Sequence, residues 1–203
     1  MHEKAVSDMI MLQMYQTRMA LTSGPEPEVT NGGNCIMETG RESELEEYIT
    51  TALLQLMKKK DYFRITITEI CEKAGVSRMS FYRSFDGKLE VLQKKCAAIT
   101  DEFVQTSGIS YRNNTIRQYF VTLFTHFQKH RELILLLSRA GLLHIIKDDI
   151  DRVFLKTYEG VYDDYKSRFL SGGIYDVFLY WLKNGCQESP EDLAEKLSEI
   201  LEK

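Results

Sequence analysis

The chain has 203 residues, of which 43% are apolar and 28% charged. That is long enough for a sizeable core and inside the globular range, so wholesale disorder, a collagen-like fibre and a coiled-coil rod are excluded. Its 26 basic and 30 acidic residues sum to −4, an average that by itself argues against a nucleic-acid partner. The average hides a local reversal: Lys58 to Lys95 holds ten Lys/Arg and five Asp/Glu, a net +5, leaving −9 for the rest.

In chain order, residues 1–41 read as a mobile extension. They contain five of the eight methionines by Met19, Pro25, Pro27 and a Gly/Asn/Thr-rich loop from Thr30 to Gly40, with a short helix around Ser7–Leu21. Met37 is an alternative start. The apolar run Met9–Leu12 is too short for a signal-peptide core, and no uncharged run approaches 18 residues. Cys35, Cys71, Cys96 and Cys186 are scattered without a C-x-x-C pair, which points away from a disulfide framework. The expectation is a cytoplasmic protein with no membrane association.

Residues 42–88 read as a three-helix unit. Ser43 and Glu46 form a capping-box pattern, and Leu45, Ile49, Ala52, Leu53 and Leu56 line one face of a first helix that ends at Lys58-Lys59-Lys60. A second capping box, Thr66 to Glu69, opens a second helix, and Gly75 supplies the left-handed exit. Ser77 then caps a third helix, Arg78 to Phe85. Two short helices across a glycine turn, packed on a longer one, make a helix-turn-helix. The stretch Phe63–Ile67 could pass for a strand in isolation, but its helical flanks favour an all-α chain.

Residues 89–203 read as further helices, forming a regulatory and dimerisation domain. The first opens at Gly87-Lys88; others are predicted over Thr115–His130, Glu132–Leu143, Asp148–Leu170, Ile174–Lys183 and Pro190–Glu202, broken at Gly141, Gly172-Gly173 and Gly185.

On the third helix, 100° per residue puts Phe81 and Phe85 on one side and Met79, Ser80 and Arg83 opposite, with Arg78 and Tyr82 between. The phenylalanines can lock the helix down while the other flank stays free. Its chemistry suits DNA: arginine donates twice to guanine, serine bonds several base edges and methionine touches a thymine methyl. Tyr82 could reach a phosphate and Lys88 could neutralise another. The helix N-terminus beside Thr66 and Thr68 is a ready anion site.

The run Thr66 to Leu92, TITEICEKAGVSRMSFYRSFDGKLEVL, resembles the DNA-binding domain of TetR-family transcriptional regulators, in its Ile-x-x-x-Ala-Gly-Val-Ser turn, Phe-Tyr pair, terminal Phe and following Lys. The ending, Gly172 to Gly185 and Ser189 to Ala194, resembles more loosely the DhaS-like subgroup. The resemblance implies an all-α homodimer that binds a pseudo-palindromic operator in double-stranded DNA, usually with a small-molecule effector. It implies base contacts from Arg78, Met79, Ser80 and Tyr82 and phosphate contacts from Thr66, Thr68, Tyr82, Ser84 and Lys88; Arg83 is added from geometry. Most such relatives repress, whereas the DhaS-like resemblance admits an activator or coactivator. The chain departs from the family in the length of its N-terminal extension, whose three Lys/Arg and five Asp/Glu argue against a basic minor-groove arm.

Two apolar stripes, Ile174, Val177, Phe178 and Trp181, then Leu193, Leu197, Ile200 and Leu201, suit core packing within one subunit. The resemblance implies instead that the last two helices pair across a two-fold axis. Phe103, Phe120, Phe124, Tyr158 and Tyr162 are candidates for an effector pocket, alongside the plainer reading that aromatic stripes are core. Cys71 reads as a small core residue. His126 and His130 stand four apart and could share a metal, but Phe127 occupies the place of a zinc protease's Glu. A half-buried His126 and a helix-capping His130 is the preferred reading, so no metal or other cofactor is expected. With no P-loop, G-x-G-x-x-G or G-x-S-x-G motif, the expectation is a regulator rather than an enzyme, the alternative being a protein-binding adaptor on the same fold.

Overall fold

A computed structural model describes residues 35–107, 115–157 and 163–201. Nine α-helices and one 3-10 turn are found among these described residues: α1 (Cys35–Met57), the 3-10 turn Tyr62–Arg64, α2 (Ile67–Ala74), α3 (Arg78–Ser84), α4 (Lys88–Thr106), α5 (Ile116–Gln128), α6 (Arg131–Arg139), α7 (Leu143–Thr157), α8 (Asp164–Lys183) and α9 (Pro190–Leu201). The all-α expectation holds. By internal contacts residues 1–39 form one unit and 40–203 another. The helix-turn-helix and the C-terminal helices therefore share a unit, and their apolar residues run through one core cluster from Ile49 to Leu197. The expected helix over Ser7–Leu21, and most of the extension, lie outside the described residues.

Local chemistry explains most boundaries. Thr66 and Glu69 form both bonds of the capping box, Gly75 takes φ 70° at the exit of α2, and the Ser77 hydroxyl accepts from Ser80 N at 3.0 Å to start α3. Thr115 and Gln118 repeat the capping box at α5.

Several boundaries differ from expectation, among them the start of α7 at Leu143 rather than Asp148. The first helix begins at Cys35, so Ser43 lies inside it rather than capping it; the residues on both sides of Ser43 favour helix, and one interior glycine, costing about 1 kcal/mol, does not outweigh them. The predicted Asp148–Leu170 helix is divided, because Asp163 accepts from Lys166 N and begins α8. Gly172-Gly173 does not break α8, which runs on to Lys183. Flanking turns packed through Ser167, Ser171, Ile174 and Phe178 hold the helix across the pair.

Candidate nucleic-acid interface

The helix-turn-helix is held from behind. Phe81 and Phe85 are buried and lie 5.8 Å apart by ring centroids, so the inner face of α3 is fixed to the core formed by Ile49, Leu53, Ile70 and Leu92. Its other flank is bare. Met79 is 84% exposed and Tyr82 48% exposed, Arg78 and Arg83 are exposed, and Ser80 and Ser84 are half-buried. Burial has thus separated the two flanks along the line that the helical period draws. Arg64, Lys73, Arg78 and Arg83 are exposed and make no ion pair with another described residue.

Other basic residues of this stretch are engaged. Lys60 pairs with Glu69 at 2.6 Å, Lys94 with Glu46 at 3.0 Å and Lys95 with Glu47 at 3.2 Å. Lys88, one of the expected phosphate contacts, is engaged within the subunit. Its ammonium donates to Tyr62 O at 2.7 Å, Ile65 O at 2.8 Å and more distantly Phe63 O at 3.4 Å, and lies 4.5 Å from the Tyr62 ring centre. Burial lowers its pKa from the ordinary lysine range. These carbonyls come from the 3-10 turn, 23 to 26 residues earlier in sequence, so no local pattern announced them.

Lys94 has a matching role that sequence reasoning missed. It donates to Ser84 O at 2.9 Å and sits 4.8 Å from the Phe85 ring centre, placing positive charge at the C-terminal end of α3. Two lysines of α4 therefore brace the reading unit, one beneath the turn before α2 and one at the end of α3.

The anion site expected at the start of α2 is partly filled from within. Thr66 O–H and N–H both donate to the Glu69 carboxylate at 2.9 Å. Lys60 and then Thr66 hold that carboxyl down to a pKa of about 2. Thr68 is exposed, and its amide, in the first turn, has no intrahelical partner.

The remaining candidate sites lie elsewhere. Phe103, Phe120 and Phe124 are buried in a continuous aromatic cluster, with Phe103 5.8 Å from Phe127, Phe120 5.8 Å from Phe124 and Phe124 5.7 Å from Trp181. These three are part of the core; Tyr158 and Tyr162 lie outside the described residues. A cleft of about 280 Å³ lies instead beside Lys58, Lys59, Lys60, Tyr62 and Arg139.

Most residues expected at the dimer interface lie inside the subunit. Ile174, Phe178, Trp181, Leu193 and Leu197 are buried within the subunit, Trp181 to 1% exposure, while Val177 is half-buried and only Ile200 is exposed. Packing of α9 against α5, and a Trp181 Nε1 bond to Glu188 O at 3.0 Å, consume these stripes. The exposed face of α8 carries Tyr165, Phe169 and Tyr180. Cys71 is buried, as expected of a small core residue.

Such a unit, with one short helix pinned by aromatics and its polar flank presented outward after a glycine turn, defines a helix-turn-helix DNA-binding protein. Residues 49–94 match the model of bacterial regulatory proteins of the tetR family, and 114–203 match the C-terminal region of a TetR-type transcriptional regulator. Over these two regions the chain resembles TetR-family transcriptional regulators, a class of non-enzymatic DNA-binding proteins. It is 26% identical over 174 residues to the uncharacterized HTH-type transcriptional regulator YxbF of Bacillus subtilis (strain 168), a match covering 77% of this chain and 44% of that relative, so the chain spans less than half of YxbF's length. Its fold is similar to a TetR transcriptional regulator from Streptococcus agalactiae 2603V, with TM-score 0.60, 20% identity and coverage of 82% of this chain and 98% of that one. It is also similar to Lin0861 from Listeria innocua, with TM-score 0.67, 15% identity and coverage of 87% and 95%. Among the described residues no helix is long and apolar enough to cross a membrane.

Proposed function

We propose that this protein represses transcription by binding, as a homodimer, a pseudo-palindromic operator in double-stranded DNA. Arg78, Met79, Ser80, Tyr82 and Arg83 read base edges, and Thr66, Thr68, Tyr82 and Ser84 approach phosphates. The observation that carries this reading is the bare outer flank of α3 over a fully buried inner one. Lys88 and Lys94 act as positioning residues, bracing the turn before α2 and the end of α3 through backbone carbonyls.

The two-fold operator requires two copies, since half-sites lie about 34 Å apart. The faces left for a partner are those of α8, through Phe169 and Tyr180, and of α9, through Ile200, all exposed in the subunit. An effector or partner acting on the C-terminal helices would alter operator occupancy by favouring a spacing of the two α3 helices that no longer fits successive major grooves. A cytoplasmic location accords with this role.

The test is a mobility shift of the full protein on DNA from upstream of its own gene over a salt series. A regulator retards that fragment, with affinity falling steeply as salt rises, because each neutralised phosphate releases counterions. The DhaS-like resemblance carries a second reading, a coactivator or protein adaptor. Such a protein would ignore the fragment and be retained by another protein.

A further inference from the structure

We infer that Glu102, His126 and His130 form a binding site for a first-row divalent transition metal of the zinc class, bridging α4 to the junction of α5 and α6. One donor atom from each residue lies within 4.8 Å of the other two. Histidine nitrogens and a carboxylate suit zinc and its neighbours. His126 lies in the last turn of α5 and His130 is the N-cap residue of α6, with ring centres 5.3 Å apart, while Glu102 arrives from the last turns of α4. No local pattern joins Glu102 to the histidines, since 24 residues separate it from His126.

His126 is prepared for ligation. It is buried, and its Nε2 lies 3.0 Å from Ile99 O. A carbonyl only accepts, so Nε2 is the donor in this bond and Nδ1 is the nitrogen left to face a metal. Metal-bound histidines are oriented in this way, with the far N–H donated to a carbonyl or carboxylate. Phe103, 5.5 Å from the His126 ring, walls the site on its inner side.

The other two ligands are free to close on an ion. Donor atoms around a tetrahedral zinc stand about 3.4 Å apart, so closure needs modest rotation. Glu102 is exposed, His130 is half-buried, and no ion pair with another described residue holds the Glu102 carboxylate. Three protein ligands leave one position for water or another donor.

The experiment uses full-length, tag-free protein stripped with a chelator and titrated with Co2+, followed by its visible ligand-field absorption and by competition with Zn2+. Saturation at one ion per chain is expected, with a rise in Tm of about 5–10 °C at a hundredfold excess of Zn2+ over Kd. Even an outer partner of a ligand is worth about 10–100-fold in metal affinity, so Glu102→Gln and His130→Gln should each weaken binding at least about tenfold. His144→Gln, at an exposed histidine of α7, should leave it unchanged. Glu102 is exposed, so its variant tests the ligand without emptying the core. Absence of saturable Co2+ absorption, or wild-type affinity in both ligand variants, would overturn the site.

Discussion

Two amphipathic helices, α3 and α8, were open to the same reading of apolar stripes, and the molecule uses them in opposite ways. In α3 the aromatic side points inward and the polar side is left bare, so Phe81 and Phe85 are buried while Met79 is exposed. In α8 the stripe expected to meet a partner also points inward, Phe178 lying 6.2 Å from Phe124 and 5.7 Å from Phe127. Its outer face is itself aromatic: Tyr165, Phe169, Gly173, Asp176 and Tyr180 fall within about 80° of arc. Periodicity thus divides a helix into faces, and only packing decides which face the subunit keeps. Polar flanks left outside point to DNA, aromatic flanks left outside to protein.

The largest expected effect would break the comparison at α8. Trp181→Ala should lower subunit stability by about 3–5 kcal/mol, as truncations of buried aromatics do, measured by urea unfolding at several protein concentrations. Phe169→Asp should leave that stability within about 0.5 kcal/mol, as for exposed positions, but shift the sedimentation profile toward monomer. The reverse pattern would return the buried stripe to the interface.

Lys88→Met sharpens the account of α3. Removing its bonds to Tyr62 O and Ile65 O should cost about 1–2 kcal/mol of stability, less than a fully buried charged hydrogen bond. The slope of log K against log salt should stay the same, since no phosphate is lost. A slope reduced by about one, with stability intact, would restore the direct phosphate contact.

Glu69→Gln gives the smallest effect, one of pH. The folded Glu69 carboxyl titrates at about 2, below its ordinary value, through Lys60 and Thr66. Its contribution is present in full above the unfolded value near pH 4.5 and is lost as pH falls toward 2. The variant should therefore flatten this acid limb of the Tm profile, and an unchanged limb would count against the capping box as its source.

These two helices also mark how far the sequence was legible. The helix-turn-helix could be read almost residue by residue because its signals are local: Thr66 with Glu69, Gly75 and Ser77 lie within one or two turns of the amides and carbonyls that they govern. Burial of Phe81 and exposure of Met79 followed from the same short period. What could not be read depends on distant partners. Lys88 meets carbonyls more than twenty residues away, Glu102 meets His126 across an interhelical packing, and α8 faces inward because α6, α7 and the aromatic rings of α5 pack against it. The start of α1 was misplaced for another reason: a cap signal at Ser43 is optional when the residues before it already favour helix.

Selection of bound sequences from randomised duplexes by the full protein, repeated with Arg78→Ala, tests the base-reading flank of α3 most directly. A two-fold motif with half-sites one helical turn apart, from which the variant loses about 1–3 kcal/mol of discrimination at one position in each half, is the predicted result. Recovery of no motif, or of an unaltered motif by the variant, would contradict it.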